Sequence, residues 1–387
     1  MLIICRMLPK QRLTVGPRDI WRGKGGVFME PTFVNKPIER IPISRAVPGM
    51  ELARDIYSRN DQMVLGRGSI LDAQKISKIM FYSVETITVY KQEQQGEKTL
   101  TEQLKASVEF REFSLKYDKT VTSFKNSVNG VIAENREIDG EELLGEIEDI
   151  IDHAGNNSRI FNMLHCIRDY DEMTYVHSVN VSLICNCFAK WLEMNPEDTQ
   201  IITLGGLLHD IGKISIPREI LLKPDALTAE EYEIVKTHAV KGYDILKDKR
   251  VDDRIKMIAL QHHERADRTG YPYGKSGEEI EPFAMIVAIA DVYDAMTSDR
   301  VYRPRICPFD VVKILEDGND KYSANFLIPL LEQITEVYIN HTVRLSNDAI
   351  GRIVMINRNE LSKPVIQVKN DFVDLTRLRK IKIEEIL

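Results

Sequence analysis

GGLLHDIGKISIP, residues 205–217, runs an apolar helical stretch straight into His209, Asp210 and Lys213. Two metal-friendly side chains and a cation stand where a buried helix would carry leucines. Upstream, Asn195-Pro196-Glu197-Asp198 is a helix start, with a capping side chain, proline in the first turn and acids at the positive end. Ile201, Leu204, Leu208 and Ile211 mark one face, and Gly212 is expected to end the helix, so His209 and Asp210 fall at its C-terminus. A second helix opens with the capping box Thr228–Glu231 and carries His238. A third ends in ALQHHER, and a fourth, PFAMIVAIADVYDAMTS, is started by Pro282. This part of the chain reads as all-helical, which makes the fold class mainly α.

The chain has eight histidines, and His177, His209, His238, His262 and His263 all fall on these predicted helices. A lone histidine on an amphipathic helix is ordinarily a surface or hydrogen-bonded residue. Asp291 changes that reading. Its helical neighbours Val287, Ala288, Asp294 and Ala295 point it into a packed surface, where an unpaired carboxylate costs several kcal/mol. A metal removes that cost. Imidazole plus carboxylate, with no thiolate, suits iron, manganese or zinc better than calcium or magnesium. Five histidines and two aspartates exceed one centre but suit two ions if a carboxylate bridges, and Asp210 is the natural bridge. Two metals about 3.5 to 4 Å apart can hold a hydroxide at neutral pH and polarise a phosphoryl oxygen, the usual arrangement for hydrolysing a phosphate ester.

The 387 residues allow two or three domains. Residues 1–35 carry Gly, Pro and Arg without apolar periodicity and are expected to be disordered or a non-native extension. Met29 follows GKGGVF, in which the Lys-Gly-Gly codons can spell a purine-rich ribosome-binding sequence, so a start of translation at Met29 is a hypothesis that the sequence raises. Residues 36–96 read as a small α+β regulatory module, with strands around an Asn60-Asp61 turn, a helix capped by Asp72 and the strand ETITVY. Residues 97–160, rich in Glu and Lys, read as a solvated helical connector. The helical domain follows over 161–330. The alternation in HTVRLSNDAIGRIVMINRNELSKPVIQV suggests a small hairpin, so 331–387 is expected to be a β-rich appendix.

The formal net charge of −7 and the lack of a concentrated basic run argue against a large nucleic-acid partner. No stretch reaches the roughly 20 apolar residues that cross a bilayer, and MLIICRMLPKQR breaks its apolar run with charge. The expected location is cytoplasmic, with no membrane partner. Cys5, Cys166, Cys185, Cys187 and Cys307 are odd in number and form no paired CxxC knuckles, so they read as reduced packing thiols.

HSVNVS at 177, HD at 209 with IGK after it, THAVKGYDIL around His238, HHERADRTGYP at 262 and IADVYDAMTSDRVYR at 289 together resemble the HD-GYP family. This is a subset of the HD metal-dependent phosphohydrolases. The match covers roughly residues 165–305. The resemblance implies a helical domain that hydrolyses cyclic di-GMP to linear pGpG, and often GMP, through a metal-bridged hydroxide, with two ions of iron or manganese, in bacterial signalling. It implies one metal on His177, His209, Asp210 and Asp291, and the other on Asp210, His238, His262 and His263. Lys213 would touch a phosphate or assist the leaving oxygen. Tyr271, in Gly270-Tyr271-Pro272, would come near the ligand, and Arg300 and Arg303 would clasp phosphate or guanine edges. Homodimer or signalling-protein partners stay open.

Two departures from the family pattern stand out. Some members place a glutamate, an extra ligand for a third metal, where this chain has Met173, so two metals are expected. The family usually has glycine where this chain has Arg268. If that position needs a positive φ, Arg268 costs roughly 1 kcal/mol and reshapes the loop. Alternatives to the leading reading are an HD hydrolase of another cyclic dinucleotide and a non-catalytic sensor or scaffold of the messenger. The Gly-Tyr-Pro loop speaks against the first, and the complete ligand set against the second.

Overall fold

The computed structural model of the chain describes residues 38–43, 46, 48–58, 62–82, 84–90, 99–167, 173–298, 305–378 and 380–387. The 1–35 stretch with Met29 and Cys5, the Asn60-Asp61 turn, Arg300 and Arg303 lie outside them. The chain divides into two units at Gln95–Gly96.

In the first unit, strand β1 (Ile38–Pro42) pairs antiparallel with β4 (Thr86–Tyr90), and β2 (Ile56–Tyr57) with β3 (Met63–Leu65). Helix α1 (Ala73–Phe81) starts where Asp72 accepts a 2.7 Å hydrogen bond from the Lys75 N–H, satisfying one of the helix's free donors. A small core of Ile41, Leu52, Ile56, Val64, Leu71, Ile79, Ile87 and Val89 holds these elements together.

The second unit opens with α2 (Leu100–Lys105), α3 (Val108–Glu134), α4 (Gly140–Ala154) and α5 (Asn157–Cys166). The solvated connector expected here is not what folds. Phe113, Tyr117, Val121, Phe124, Val128 and Val131 recur at three- and four-residue steps and bury one face of α3 in the main core, while the intervening charges face out. Helices α6 (Met173–Trp191) and α7 (Pro196–Leu208) pack against each other. Residues 177–189 of α6 are buried on every side, so it is the central helix of the unit.

The remaining helices are α8 (Arg218–Leu221), α9 (Ala229–Lys236), α10 (His238–Leu246), α11 (Asp253–Gln261), α12 (Pro282–Thr297), α13 (Pro308–Asp317) and α14 (Ala324–Val337). Capping by Asn195 and the Thr228–Glu231 box is present as the sequence indicates. Two local readings change. Helix α7 ends at Leu208, and a 3-10 turn, Ile211–Ser215, runs on through Gly212. Gly212 is needed for close approach, because a Cβ there would stand 2.0 Å from the His238 carbonyl oxygen. The helix opened by Thr228 breaks at Thr237, so His238 begins α10 instead of lying within α9.

The C-terminal strands β5 (Thr342–Leu345), β6 (Ile350–Met355), β7 (Val365–Val368), β8 (Asp371–Asp374) and β9 (Ile383–Ile386) form one antiparallel sheet in the order β8-β7-β6-β5-β9. The expected β-rich C-terminus is present and larger than a hairpin, and Val343, Ile353, Ile366 and Ile383 join the same core as the helices. No described helix is long and apolar enough to cross a membrane.

Candidate metal centre

Helix ends build the site. His209 caps the C-terminus of α7, His262 caps that of α11, and His238 follows the end of α9. The last carbonyls of a helix have no partner within it. His209 Nδ1 lies 2.7 Å from Gly206 O, His238 Nδ1 2.6 Å from Val235 O, and His262 Nδ1 3.0 Å from Ile258 O. A carbonyl only accepts, so each Nδ1 carries the proton and each Nε2 keeps its lone pair. All three lone pairs turn inward.

Asp210 lies between two groups of donors. Its Oδ1 is 3.3 Å from His238 Nε2 and 3.7 Å from His262 Nε2, while its Oδ2 is 3.3 Å from His209 Nε2 and 3.7 Å from His177 Nε2. Donor atoms of Asp210, His238, His262 and His263 all lie within 4.8 Å of one another, as do those of His177, His209 and Asp291. Five histidines and two aspartates spread over 115 positions of sequence, 177 to 291, thus come together.

His177, on α6, is held from both sides. Its Nε2 is 3.0 Å from Asp291 Oδ1 on α12, and its Nδ1 is 2.6 Å from Asp294 Oδ2, one turn further along. Asn180 Nδ2 donates to the other oxygen of Asp294 at 2.9 Å. The sequence reading passed over Asp294 and Asn180 as site residues. Each stands three residues after a donor, on the same helical face, and that spacing was the available signal.

Burial and charge set opposite protonation tendencies in this space. Burial opposes a charged His177, but the hydrogen bonds that it donates to Asp291 and Asp294 outweigh it and push its pKa up to about 9. Burial pushes His238 down to about 3, and lowers His262 and His263 as well. Asp210 is held well below the usual carboxylate range: burial opposes its charge, and Lys213 and His209 more than compensate. Asp291 is depressed in the same way, chiefly by His177 against the cost of burial.

Lys213 reaches the rim, where its Nζ contacts Asp210 Oδ2. The Tyr271 ring lies over that of His263, with centroids 4.6 Å apart and planes 30° apart. Its loop is pinned from below, since Glu264, buried, accepts from Tyr273 N at 2.8 Å and Lys275 N at 2.9 Å. Gly270 has no room for a side chain, as a Cβ would meet Arg265 N at 2.4 Å and His263 O at 2.5 Å. Arg268 does adopt a positive φ, 66°, and its side chain is exposed, with Nη2 3.5 Å from Glu279 Oε2.

A metal fits what is present. His209 Nε2 and Asp210 Oδ1 are buried and make no hydrogen bond, and leaving such groups unsatisfied costs about 1 to 3 kcal/mol each. Imidazole Nε2 lone pairs and carboxylate oxygens, without thiolate, are the donor set of a borderline divalent ion.

Residues 161–325 match the family model described as HD domain. Over 203 residues the chain is 33% identical to a cyclic di-GMP phosphodiesterase of Pseudomonas aeruginosa, covering 52% of this chain and 49% of that protein. It is 38% identical over 206 residues to a cyclic di-GMP phosphodiesterase of Thermotoga maritima, covering 51% and 54%. A 3'3'-cGAMP-specific phosphodiesterase of Vibrio cholerae is 36% identical over 153 residues, covering 40% and 36%. The chain spans about half the length of the first two relatives. The helical domain is therefore an HD domain. With the Gly-Tyr-Pro loop and these relatives, this domain is of the HD-GYP kind.

Proposed function

We propose that the chain is a metal-dependent phosphodiesterase that hydrolyses cyclic di-GMP to linear pGpG, using two divalent ions of iron or manganese. The observation that carries this reading is the meeting of two donor groups at the two oxygens of Asp210. In this reading His177, His209 and Asp291 hold one ion, His238, His262 and His263 hold the other, and Asp210 is shared. Bound there, such ions supply Lewis acidity toward a phosphoryl oxygen and lower the pKa of water.

The chain's own residues do the rest. The helix-end carbonyls and Asp294 fix which imidazole nitrogen faces the reaction. Lys213, beside Asp210, meets the charge of the scissile phosphate. A water oxygen forms the new bond to phosphorus as the P–O3′ bond breaks, the Lys213 ammonium gives a proton to the departing 3′ oxygen, and the proton shed by the water restores the ammonium. One water is consumed, and the opened product carries a 5′-phosphate and a 3′-hydroxyl. Burial pushes the Tyr271 pKa up, so its phenol stays protonated and donates to a substrate oxygen. Arg300 and Arg303 complete the cation set.

Relatives that act on cyclic di-GMP support the substrate class. The Vibrio relative favours a second reading, hydrolysis of the mixed adenine-guanine cyclic dinucleotide. The test is to incubate metal-loaded protein with cyclic di-GMP, 3'3'-cGAMP and cyclic di-AMP and resolve the products by chromatography. Linear pGpG from cyclic di-GMP is the expected result. Cleavage of 3'3'-cGAMP alone would favour the second reading, and no cleavage of any of the three would reject the enzyme.

A further inference from the structure

A hydrogen-bonded chain enters the site from α3, outside residues 161–325, the stretch that matches the HD domain. Tyr117 Oη donates to Asn180 Oδ1 at 2.6 Å, Asn180 Nδ2 donates to Asp294 Oδ1 at 2.9 Å, and Asp294 Oδ2 faces His177 Nδ1 at 2.6 Å. Tyr117, Asn180, Asp294 and His177 are all buried.

The direction of this chain is fixed by chemistry. Asp294, as a carboxylate, only accepts, so Asn180 must turn its NH2 toward it and its carbonyl oxygen toward Tyr117. The phenol proton then goes to that oxygen, in preference to Val176 O at 3.3 Å. Asp294 Oδ2 accepts a hydrogen bond from His177 Nδ1–H, which leaves Nε2 toward Asp291 and Asp210. Without the phenol, Asn180 Oδ1 loses its 2.6 Å donor and the amide is fixed from the Asp294 side alone. Asp294 Oδ1, which also accepts from Ser298 Oγ at 3.0 Å, then rests on a less firmly placed amide, and the carboxylate that orients His177 Nδ1 loosens.

We propose that Tyr117 is a positioning residue for His177 as a metal ligand, acting through Asn180 and Asp294; this rests on the metal-site reading above. Helix α3 is then a working part of the domain's site. Tyr117→Phe removes one hydroxyl and keeps the stack on Phe113, whose ring centroid is 6.0 Å away.

The experiment is calorimetric titration of metal-stripped protein of residues 1–387 with Mn2+, for the parent, Tyr117→Phe, Asn180→Ala, the double variant of these two, and His177→Ala with and without Tyr117→Phe. Partners that orient a ligand carry about 10- to 100-fold in metal affinity, and Tyr117 stands two steps further out. Tyr117→Phe should therefore weaken one Mn2+ by about five- to tenfold and leave the other within about twofold. In His177→Ala, which retains the other ion, Tyr117→Phe should change nothing further. The double variant should bind no more weakly than Asn180→Ala alone, because both lie on one chain. Equal weakening of both ions, losses that multiply in the double variant, or unchanged binding in Tyr117→Phe would overturn the relay while leaving the metal site intact. A parent that binds no Mn2+ would overturn the metal-site reading and the relay with it.

Discussion

His177 and Asp291, two of the proposed ligands, are hydrogen bonded to each other through Nε2 and Oδ1 at 3.0 Å. In the metal-free chain a proton therefore occupies the position from which both would bind an ion. With the His177 pKa at about 9, that proton is present at neutral pH and must leave when a metal enters. Metal binding near pH 7 should release it, and affinity should rise with pH up to about 9. Calorimetry in buffers of different ionisation enthalpy measures the release directly. A binding heat that does not depend on the buffer would remove this account of His177.

The same groups set how the metal-free protein responds to pH. His177 is raised from its ordinary 6.5 to about 9, so its stabilisation is full below pH 6.5 and is lost as pH rises through about 9. His238, buried and lowered to about 3, has the opposite sense among histidines. The unfolded chain takes up a proton below pH 6.5 that the folded chain refuses, so stability is lost as pH falls from 6.5 toward 3. His262 and His263 add to this acid arm. Melting temperatures of chelator-treated protein should fall on both sides of about pH 6.5, and His177→Ala should flatten the alkaline side. An alkaline arm that persists unchanged in His177→Ala would assign it to other groups.

Gly270→Ala tests whether the Gly-Tyr-Pro loop positions Tyr271. The added Cβ would press on Arg265 N and His263 O, both backbone atoms that cannot step aside. The loop should lift Tyr271 from His263 and cost about tenfold or more in turnover. Far-ultraviolet circular dichroism should show the helices retained. Turnover within about twofold of the parent would mean that the loop tolerates the shift.

Arg268→Gly separates strain from contact. A non-glycine residue at φ 66° costs roughly 1 to 2 kcal/mol, and glycine's greater freedom when unfolded returns about 0.5 to 1 of it. The exposed pair with Glu279 adds little. Arg268→Gly should thus leave stability equal or up to about 1 kcal/mol higher, with activity on cyclic di-GMP equal or raised. A several-fold loss in kcat/KM would show Arg268 to be a substrate contact instead.

The donors were legible because they are residue types that a buried helix avoids. His209 and Asp210 stood out against Leu207 and Leu208, and Asp291 against Val287 and Ala288. Helix starts at Asp72, Asn195 and Thr228 were legible because capping is local chemistry. The apolar stripe of α3 was hidden by the lysines and glutamates between its core positions, though Phe113, Tyr117, Phe124 and Val128 carry the helical spacing. The C-terminal sheet was underestimated because β5 pairs with β9 some forty residues away, and no local alternation encodes that partner. Tyr117 was out of reach for the same reason. Its partner Asn180 is 63 residues along the chain.

The central claim is that Asp210 joins two donor groups into a single two-ion site, and metal content tests it most directly. Elemental analysis of anaerobically purified parent protein and of Asp210→Asn, which keeps the shape and removes the charge, is the measurement. The parent should carry about two ions of iron or manganese per chain. Asp210→Asn should fall below about one, with its helical signal retained and its turnover of cyclic dinucleotide lost in step. A parent that holds a single ion, or an Asp210→Asn protein that keeps its metal and its turnover, would contradict the account.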